Sequence, residues 1–430
     1  MKKEPVVTRN FAVCWAVMFF TAMFFFMMFT GMASYSENGL GLTGAAAGLL
    51  TSALIIGDLA ARILCASRVD RWGKGRVAAA GMAMAAAVTP LYFVTGNPIA
   101  LAAIRIVQGF VYGLAGTAIN AAVVEGLPAS RRGEGIGYFS LSFTISSAIG
   151  PFLCMWLLEN GTYGDMFTLA TVFAAAAAAI ALGMRDDRSE FGSAPARSGI
   201  SVRDFIEPSA VPLALVGFLF FFAYSGVLTF TSLYGEDIGM EEIATFFFVF
   251  VSVGTLVSRI FLGRIYDSRG ENAALLPFFL LGIIGFFLYA EASEGWHLVF
   301  AGIFLGFLMA QLSSVVQSVV VRKAPKSRYS VAISTFNVFL DLSYCVGPML
   351  HGALKDALGF RGNFLLMAAI AIADMALYIA VHGARSRGRP SELLRRRLRY
   401  NYETNRDIFP RRGRQSGPGA DENDLQGFQR

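Results

Sequence analysis

Twelve apolar stretches, each about 20 residues long, constrain the fold of this chain more than any other feature. A run of this length is what a helix needs to cross the hydrocarbon core of a bilayer. Only 15% of the 430 residues are charged, whereas a soluble domain carries about 25%. The sequence therefore predicts an all-α membrane protein with twelve transmembrane helices. Their approximate limits are 11–34, 43–66, 77–96, 98–124, 135–158, 164–184, 209–234, 241–263, 272–292, 295–321, 330–354 and 361–383.

The positions of the basic residues predict which side of the membrane each loop faces. Of 36 lysines and arginines, Arg62, Arg105 and Arg259 lie within apolar stretches, and only Lys355 and Arg361 follow an odd-numbered stretch. The others lie at the N-terminus, after even-numbered stretches and in the C-terminal tail. Because cytoplasmic loops are enriched in lysine and arginine, we predict that both termini are cytoplasmic. The net charge of +6 then reflects topology and does not indicate a nucleic-acid partner.

The chain contains two copies of one unit, and equivalent residues are 197 positions apart. Several independent pairs obey this offset, so chance is a poor explanation. We therefore predict a six-helix bundle over residues 1–184, a cytoplasmic linker over 185–208 and a second six-helix bundle over 209–383. The basic tail 384–430 is too polar to bury a core and is predicted to be disordered. The matched pairs are Arg62 and Arg259, Asp70 and Asp267, Pro128 and Pro325, Arg131 and Arg328, Pro151 and Pro348, and Phe167 and Phe364.

The loops after the second and eighth stretches share a pattern of acidic, basic and glycine residues. This pattern resembles the loop G-x-x-x-D-R-x-G-R-K that marks the major facilitator superfamily. The resemblance covers residues 11–383 and implies a transporter whose two halves alternately expose a central site. Both copies depart from the pattern, because Ala66 and Gly75 replace a glycine and a basic residue in the first, and Glu271 replaces a basic residue in the second. The matching residues are Asp70, Arg71, Gly73 and Lys74 in the first copy, and Gly263, Arg264, Asp267, Arg269 and Gly270 in the second.

These two loops and the arginines that precede them are the candidate gates. An aspartate at a helix end can pair with arginines and with the N-terminal dipole of a neighbouring helix. Such a cluster holds one conformation shut, and its rupture permits another. The gating candidates are Asp70, Arg71, Gly73, Asp267, Arg269, Gly270, Arg62 and Arg259.

Three ionisable residues within the apolar stretches are the proton-coupling candidates: Asp341, Asp58 and Arg105. An intramembrane carboxylate that can take up and release a proton is a functional candidate, although an ion pair or a hydrogen-bonded cap explains Asp341 equally. Asp58 lies four residues before Arg62, so this pair could instead neutralise itself. Arg105 begins a segment that resembles the R-x-x-Q-G element of proton-coupled superfamily members. Asp341 precedes a Gly-Pro pair, as in bacterial exporters of drugs and metabolites that include opine and metallophore exporters.

Polar and aromatic residues on the later stretches are the substrate-cavity candidates. Asn337, Asp341 and Tyr344 share one helix face. Tyr224, Gln311 and Gln317 lie on other stretches of the second unit. The three histidines and four cysteines show no metal-ligand spacing, so neither a metal nor a cofactor is predicted.

We hypothesise a monomeric secondary transporter in the cell membrane that exports small organic molecules in exchange for protons. Its predicted partners are the lipid bilayer, protons and a small-molecule substrate. The first alternative is a proton- or ion-coupled importer of a nutrient. A transporter-like receptor or a membrane-embedded enzyme is the other alternative, but no nucleophile–base constellation or phosphate-binding loop favours an enzyme.

Overall fold

Helices form all of the regular secondary structure in the described part of the computed structural model, residues 5–65, 69–128, 131–185, 206–325 and 328–385. Eleven helical runs in these ranges are long and apolar enough to cross a membrane, as an all-α membrane protein requires. The helices are α1 (Arg9–Ser34), α2 (Gly44–Cys65), α3 (Lys74–Val88), α4 (Pro98–Gly126), α5 (Arg132–Asn160), α6 (Tyr163–Ala181), α7 (Val211–Asp237), α8 (Glu241–Arg269), α9 (Glu271–Ala290), α10 (Gly295–Gln311) and α11 (Tyr329–Val381).

Shorter elements extend or precede three of these helices. A π-helical turn, Tyr35–Gly39, continues α1, and a 3₁₀ turn, Thr89–Phe93, continues α3. After α10 come a π-helical turn, Leu312–Val316, and a short helix, Gln317–Lys323. A single turn, Val69–Trp72, precedes α3. Short π segments often occur at functional sites, and the one after α10 lies beside the cavity described below.

The 53-residue helix α11 is folded back on itself at Gly359. The backbone there has φ 72° and ψ 173°, a conformation that glycine adopts readily because it has no Cβ. The ring atom Nδ1 of His351 lies 2.9 Å from Oδ1 of Asn363, although twelve residues of straight helix would separate them by about 18 Å. We call the two arms α11a (residues 329–358) and α11b (residues 360–381). They correspond to the last two apolar stretches of the sequence.

Helix boundaries repeat at the same offset of 197 residues as the sequence motifs. Both α3 and α9 also begin after a glycine with positive φ, 87° at Gly73 and 81° at Gly270. The two copies thus share a backbone turn that favours glycine. The equivalent helix starts are Gly44 and Glu241, Lys74 and Glu271, Pro98 and Gly295, and Arg132 and Tyr329.

Each half of the chain has its own buried cluster of apolar side chains. One cluster is built from α1 to α6, and the other mainly from α7 to α11. The two Gly-Pro pairs pack in the same way within these clusters. A Cβ at Gly150 would lie 2.9 Å from Cβ of Phe26 on α1, and a Cβ at Gly347 would lie 1.8 Å from Oγ of Ser225 on α7. Each pair therefore brings a proline-containing helix close to the first helix of its own half.

Glu207 ties the chain just before α7 to the start of α11a. Its carboxylate accepts hydrogen bonds from Oγ of Ser209, at 2.8 Å, and from the guanidinium of Arg328, which also donates to the carbonyl oxygen of Ile206. The backbone N–H of Glu207 donates to Oγ1 of Thr335 at 2.9 Å. Hydrogen bonds from Ser209 and Arg328 stabilise the ionised form, so they lower the pKa of Glu207.

Candidate functional site

A cavity of about 460 Å³ lies between the two halves, a size typical of sites for small organic ligands. Residues of α1, α2, α4 and α5 form one wall, and residues of α7, α8, α10, α11a and the two short segments after α10 form the other. Its lining includes Asn120, Ile136 and Gln317, which lie within two turns of the helix ends on one face of the protein. We call this the basic face; α1 begins there and α11b ends there. Aromatic side chains supply much of the wall: Phe25, Phe26, Tyr112, Phe139, Phe143, Phe221 and Tyr344.

Arg62 joins the two halves inside this cavity. Its Nε and Nη2 donate to the two carboxylate oxygens of Asp58, at 2.9 and 3.1 Å. Its Nη1 lies 3.0 Å from Oδ2 of Asp341 on α11a. The Asp58 side chain is 3% exposed and that of Asp341 21%. One guanidinium between two carboxylates leaves a net charge of −1 when both are ionised, so the group can accept one proton or one cation.

Arg259 lies on the opposite wall of the cavity, at the position equivalent to Arg62 in the second half. Its Nε is buried and has no hydrogen-bond partner among the described residues. Position 255, equivalent to that of Asp58, is a threonine. The two repeats therefore place arginines at matched positions in very different electrostatic surroundings.

The acidic face, opposite the basic face, is closed by polar contacts between the halves. Lys355 of α11a pairs with Glu37 at the end of α1. The carboxylate of Asp356 accepts hydrogen bonds from the backbone N–H groups of Gly44 and Ala45, at 3.1 and 3.0 Å. Asp356 thus caps the N-terminus of α2 from the other half of the protein, where a negative charge is favourable.

Glycines bring α2 and α11a into backbone contact on the cavity side of these polar groups. A Cβ at Gly48 would lie 2.0 Å from the carbonyl oxygen of Pro348, and a Cβ at Gly352 would lie 1.9 Å from that of Gly44. No larger residue fits at such separations without moving the backbone. The cavity is therefore shut toward the acidic face by a tight helix crossing.

The structure brings five of the eight proton-coupling and substrate-cavity candidates to the cavity wall. Asp341 and Asp58 line it, as do the cavity candidates Asn337, Tyr344 and Gln317. Two gating candidates, Arg62 and Arg259, also lie there. The other three of these eight, Arg105, Gln311 and Tyr224, do not line the cavity.

Arg105 is fully buried within the first half and links three helices. Its guanidinium donates to the carbonyl oxygens of Met28, Leu50 and Thr51, at 3.1, 3.1 and 3.2 Å. These bonds attach α4 to α1 and α2. The neighbouring Gln108 accepts from the hydroxyl of Tyr92 at 2.8 Å, so this segment contributes a polar network within the first half.

Gln311 and Tyr224 are buried in the second half. Gln311 is 0% exposed, and neither of its side-chain polar atoms has a partner among the described residues. Tyr224 is 4% exposed and stacks on Phe220 with ring centroids 6.0 Å apart.

Four gating candidates have side chains outside the described part of the structure: Asp70, Arg71, Asp267 and Arg269. The adjoining residues show a different relationship between the two loops. Lys74 Nζ lies 2.6 Å from Oε2 of Glu125 in the first half. The equivalent positions in the second half are Glu271 and Arg322, which also form an ion pair. The charges are exchanged, so Glu271 preserves the contact that its departure from the sequence pattern would otherwise break.

Sequence reasoning missed the acidic-face closure formed by Glu37, Lys355 and Asp356. A signal was present, because Lys355 is one of only two basic residues assigned to that face. The gating candidate Arg62 lies at the cavity wall and contacts Asp341 of the other half. No cluster of metal-ligating side chains occurs within the described ranges.

Comparison with known proteins identifies the family. The model of the Major Facilitator Superfamily matches residues 14–295 and 278–410. The chain belongs to the major facilitator superfamily. It is a transporter and not an enzyme, and it is a multi-pass protein of the cell membrane.

Relatives of this superfamily member include bacterial exporters, which confirms the resemblance predicted from the sequence. The staphylopine export protein of Staphylococcus aureus strain Mu50 is 21% identical over 374 residues, covering 84% of this chain and 92% of that protein. The multi-drug resistance efflux pump PmrA of Streptococcus pneumoniae serotype 4 is 24% identical over 368 residues, covering 83% and 91%. A crystal structure of a variant of the nucleoside transporter NupG shares the fold, with a TM-score of 0.69 at 14% identity and coverage of 87% and 100%.

Proposed function

We propose that this transporter exports small organic molecules in exchange for protons. The observation that carries the proposal is the contact between Arg62 and Asp341, which joins the two halves at the wall of the central cavity. The names of the two exporter relatives support the outward direction. The transporter works as a monomer, with bundles 1–184 and 209–383 moving against each other about the linker 185–208.

The folded-back α11 supports the proposed membrane topology. Counting α11a and α11b separately gives twelve crossings, and an even number places both termini on one side. The basic face is cytoplasmic, because positively charged loops remain inside. The conformation described above is then open to the cytoplasm and closed to the exterior, ready to release a proton and to accept a substrate for export.

Proton exchange uses the shared arginine. With both carboxylates ionised, Arg62 attracts Asp341 across the cavity, and this attraction is strong where water is scarce. A proton on Asp341 removes that attraction and leaves Arg62 bound to Asp58 alone. The two fluxes are coupled when the cavity holds either the proton or the substrate, because each conformational change then carries one or the other.

Proteoliposomes with an imposed pH gradient test the coupling regardless of how the protein is oriented in them. Antiport predicts that an acidic interior drives substrate uptake, because protons leave as substrate enters. The alternative, symport, predicts uptake driven by an acidic exterior. Flux that is indifferent to both gradients would contradict proton coupling altogether.

The same vesicles separate transport from a receptor function. A transporter exchanges labelled for unlabelled substrate across the membrane even without a gradient. Binding without such exchange would instead favour a receptor.

A further inference from the structure

Arg259 has a guanidinium at the cavity wall that lacks any hydrogen bond or ion pair to the described residues. Its repeat equivalent Arg62 has two carboxylate partners. At position 255 the hydroxyl of Thr255 donates to the carbonyl oxygen of Gly306, at 3.1 Å, and offers no negative charge. A buried donor without a partner is unfavourable, because it has lost its hydrogen bonds to water. An unpaired guanidinium maintained beside a ligand-sized cavity is suited to an anionic ligand.

Two further polar side chains on the same wall are also unpaired. Gln317 after α10 and Asn337 on α11a line the cavity, and neither forms a hydrogen bond with the described residues. Together with Arg259 of α8, they bring donors from three helices to one side of the cavity. We call these three residues the donor wall.

On the facing wall, in the first half, four polar side chains donate hydrogen bonds to their own helices. The amide of Asn120 donates to the carbonyl oxygen of Gly116, at 2.8 Å. The hydroxyls of Ser140, Thr144 and Ser147 also donate to carbonyl oxygens of their own helix. These four donors are used within the fold, whereas the side chains of the donor wall form no hydrogen bond with the described residues.

We propose that the donor wall binds a carboxylate group of the transported molecule. This proposal rests on the transport function proposed above and names the substrate class. A guanidinium presents two parallel N–H groups to a carboxylate, which gives both strength and orientation. Amide donors from Gln317 and Asn337 satisfy the remaining oxygen lone pairs. The aromatic side chains of the cavity then hold an apolar body attached to the carboxylate.

Thermal unfolding of the purified full-length protein in detergent tests this assignment, because a ligand of the folded state raises the unfolding temperature. The probes are aromatic and aliphatic carboxylates, each paired with its neutral amide and its amine, for example 3-phenylpropionate, 3-phenylpropanamide and 3-phenylpropylamine. We expect carboxylates to stabilise the wild type more than the matched amides and amines. Equal stabilisation by acid and amide, stabilisation by amines alone, or no stabilisation by any carboxylate would overturn the proposal.

Variants connect this preference to Arg259. Arg259→Gln should weaken carboxylate binding by about tenfold or more, the equivalent of ~1.4 kcal/mol, while Arg259→Lys should retain part of it because the charge remains. Arg361→Gln is the matched control, since this arginine lies on the acidic face with 71% of its side chain exposed. An unchanged preference in Arg259→Gln would contradict the proposal. Unfolding temperatures without probe show whether each variant is folded.

The binding assay needs no gradient, so it fails independently of the transport proposal. A preference for carboxylates without proton-driven flux would support the donor wall as the binding site and would contradict the coupling role of Asp341. Proton-driven flux without carboxylate selectivity would do the reverse.

Discussion

Nη1 of Arg62 lies 3.0 Å from Oδ2 of Asp341, so a single guanidinium spans the interface between the two halves of the transporter. The same guanidinium binds Asp58 one helical turn away on its own helix. The cavity therefore contains a charge group that can be neutralised by one proton. This relationship links the electrostatics of the site to the relative position of the halves.

The exchanged ion pairs on the basic face predict a charge-swap rescue. Glu271→Lys would face Arg322 with a like charge, and we expect it to destabilise the protein by roughly 1 kcal/mol. Adding Arg322→Glu recreates the arrangement of Lys74 and Glu125, so the double variant should recover the part of the unfolding temperature lost through this pair, while the contact of Glu271 with His382 is lost in both variants. Thermal unfolding in detergent measures both.

The exposed pair Arg361 and Glu291 is the control for this swap, because 71% of the Arg361 side chain is exposed. Reversing either charge there should change the unfolding temperature little. A double variant Glu271→Lys/Arg322→Glu no more stable than Glu271→Lys alone would show that the repeat equivalence does not extend to this contact.

The helix crossing at Gly48 predicts that a methyl group opens the acidic face. In Gly48→Ala the Cβ would lie 2.0 Å from the carbonyl oxygen of Pro348, so α2 and α11a must separate. Overpacking of this kind costs about 1–3 kcal/mol, enough to reduce the closed population several-fold. Spin labels at Thr43 and Leu358, after replacement of the four native cysteines, should show a longer distance.

Gly137→Ala is the matched control for this variant, because a Cβ at Gly137 meets nothing within 4 Å. It should leave the distance between the labels unchanged. An unchanged distance in Gly48→Ala would mean that the crossing does not limit closure.

Arg105 is predicted to stabilise the first half without setting the proton stoichiometry. Its three bonds are to backbone carbonyls, and hydrogen bonds to charged groups contribute about 1.5–3 kcal/mol each. Arg105→Lys should therefore lower the unfolding temperature markedly, because an ammonium cannot reproduce the forked geometry. The ratio of protons to substrate in the residual flux should stay unchanged. A changed ratio would contradict this prediction and support the proton-coupling role that the R-x-x-Q-G resemblance implies.

Much of the fold was predictable because the length of each apolar stretch and the charges that flank it are local properties of the sequence. Apolar runs of membrane-spanning length fixed the helices, and the offset linking Asp70 to Asp267 anticipated equivalent helix starts. The sequence predicted the two arms of α11 as separate stretches, but it could not show that the reversal is made at the single residue Gly359. The loop pattern also did not predict the contact between Glu271 and Arg322, because Arg322 lies outside that pattern.

The sequence predicted the two carboxylates of the candidate site, but it did not predict which residue they contact. Asp58 and Asp341 attracted attention because a charge within a membrane requires a reason. The contact that unites them depends on Arg62, which the sequence pattern had associated with a gate. Gln311 and Tyr224 were chosen by residue type, and only the rotation of each helix shows that they turn away from the cavity. Helix rotation is set by packing between elements distant in sequence.

The central claim is that Asp341 exchanges the coupling proton, and Asp341→Asn in proteoliposomes tests it most directly. The control is Asp374→Asn, which removes a second buried carboxylate of the same half that lies outside the cavity lining. The measurement is uptake driven by an acidic interior, divided by substrate exchange without a gradient. We expect this ratio to fall at least about tenfold in Asp341→Asn, the equivalent of ~1.4 kcal/mol, and to stay at the wild-type value in Asp374→Asn. A wild-type ratio in Asp341→Asn would contradict the account.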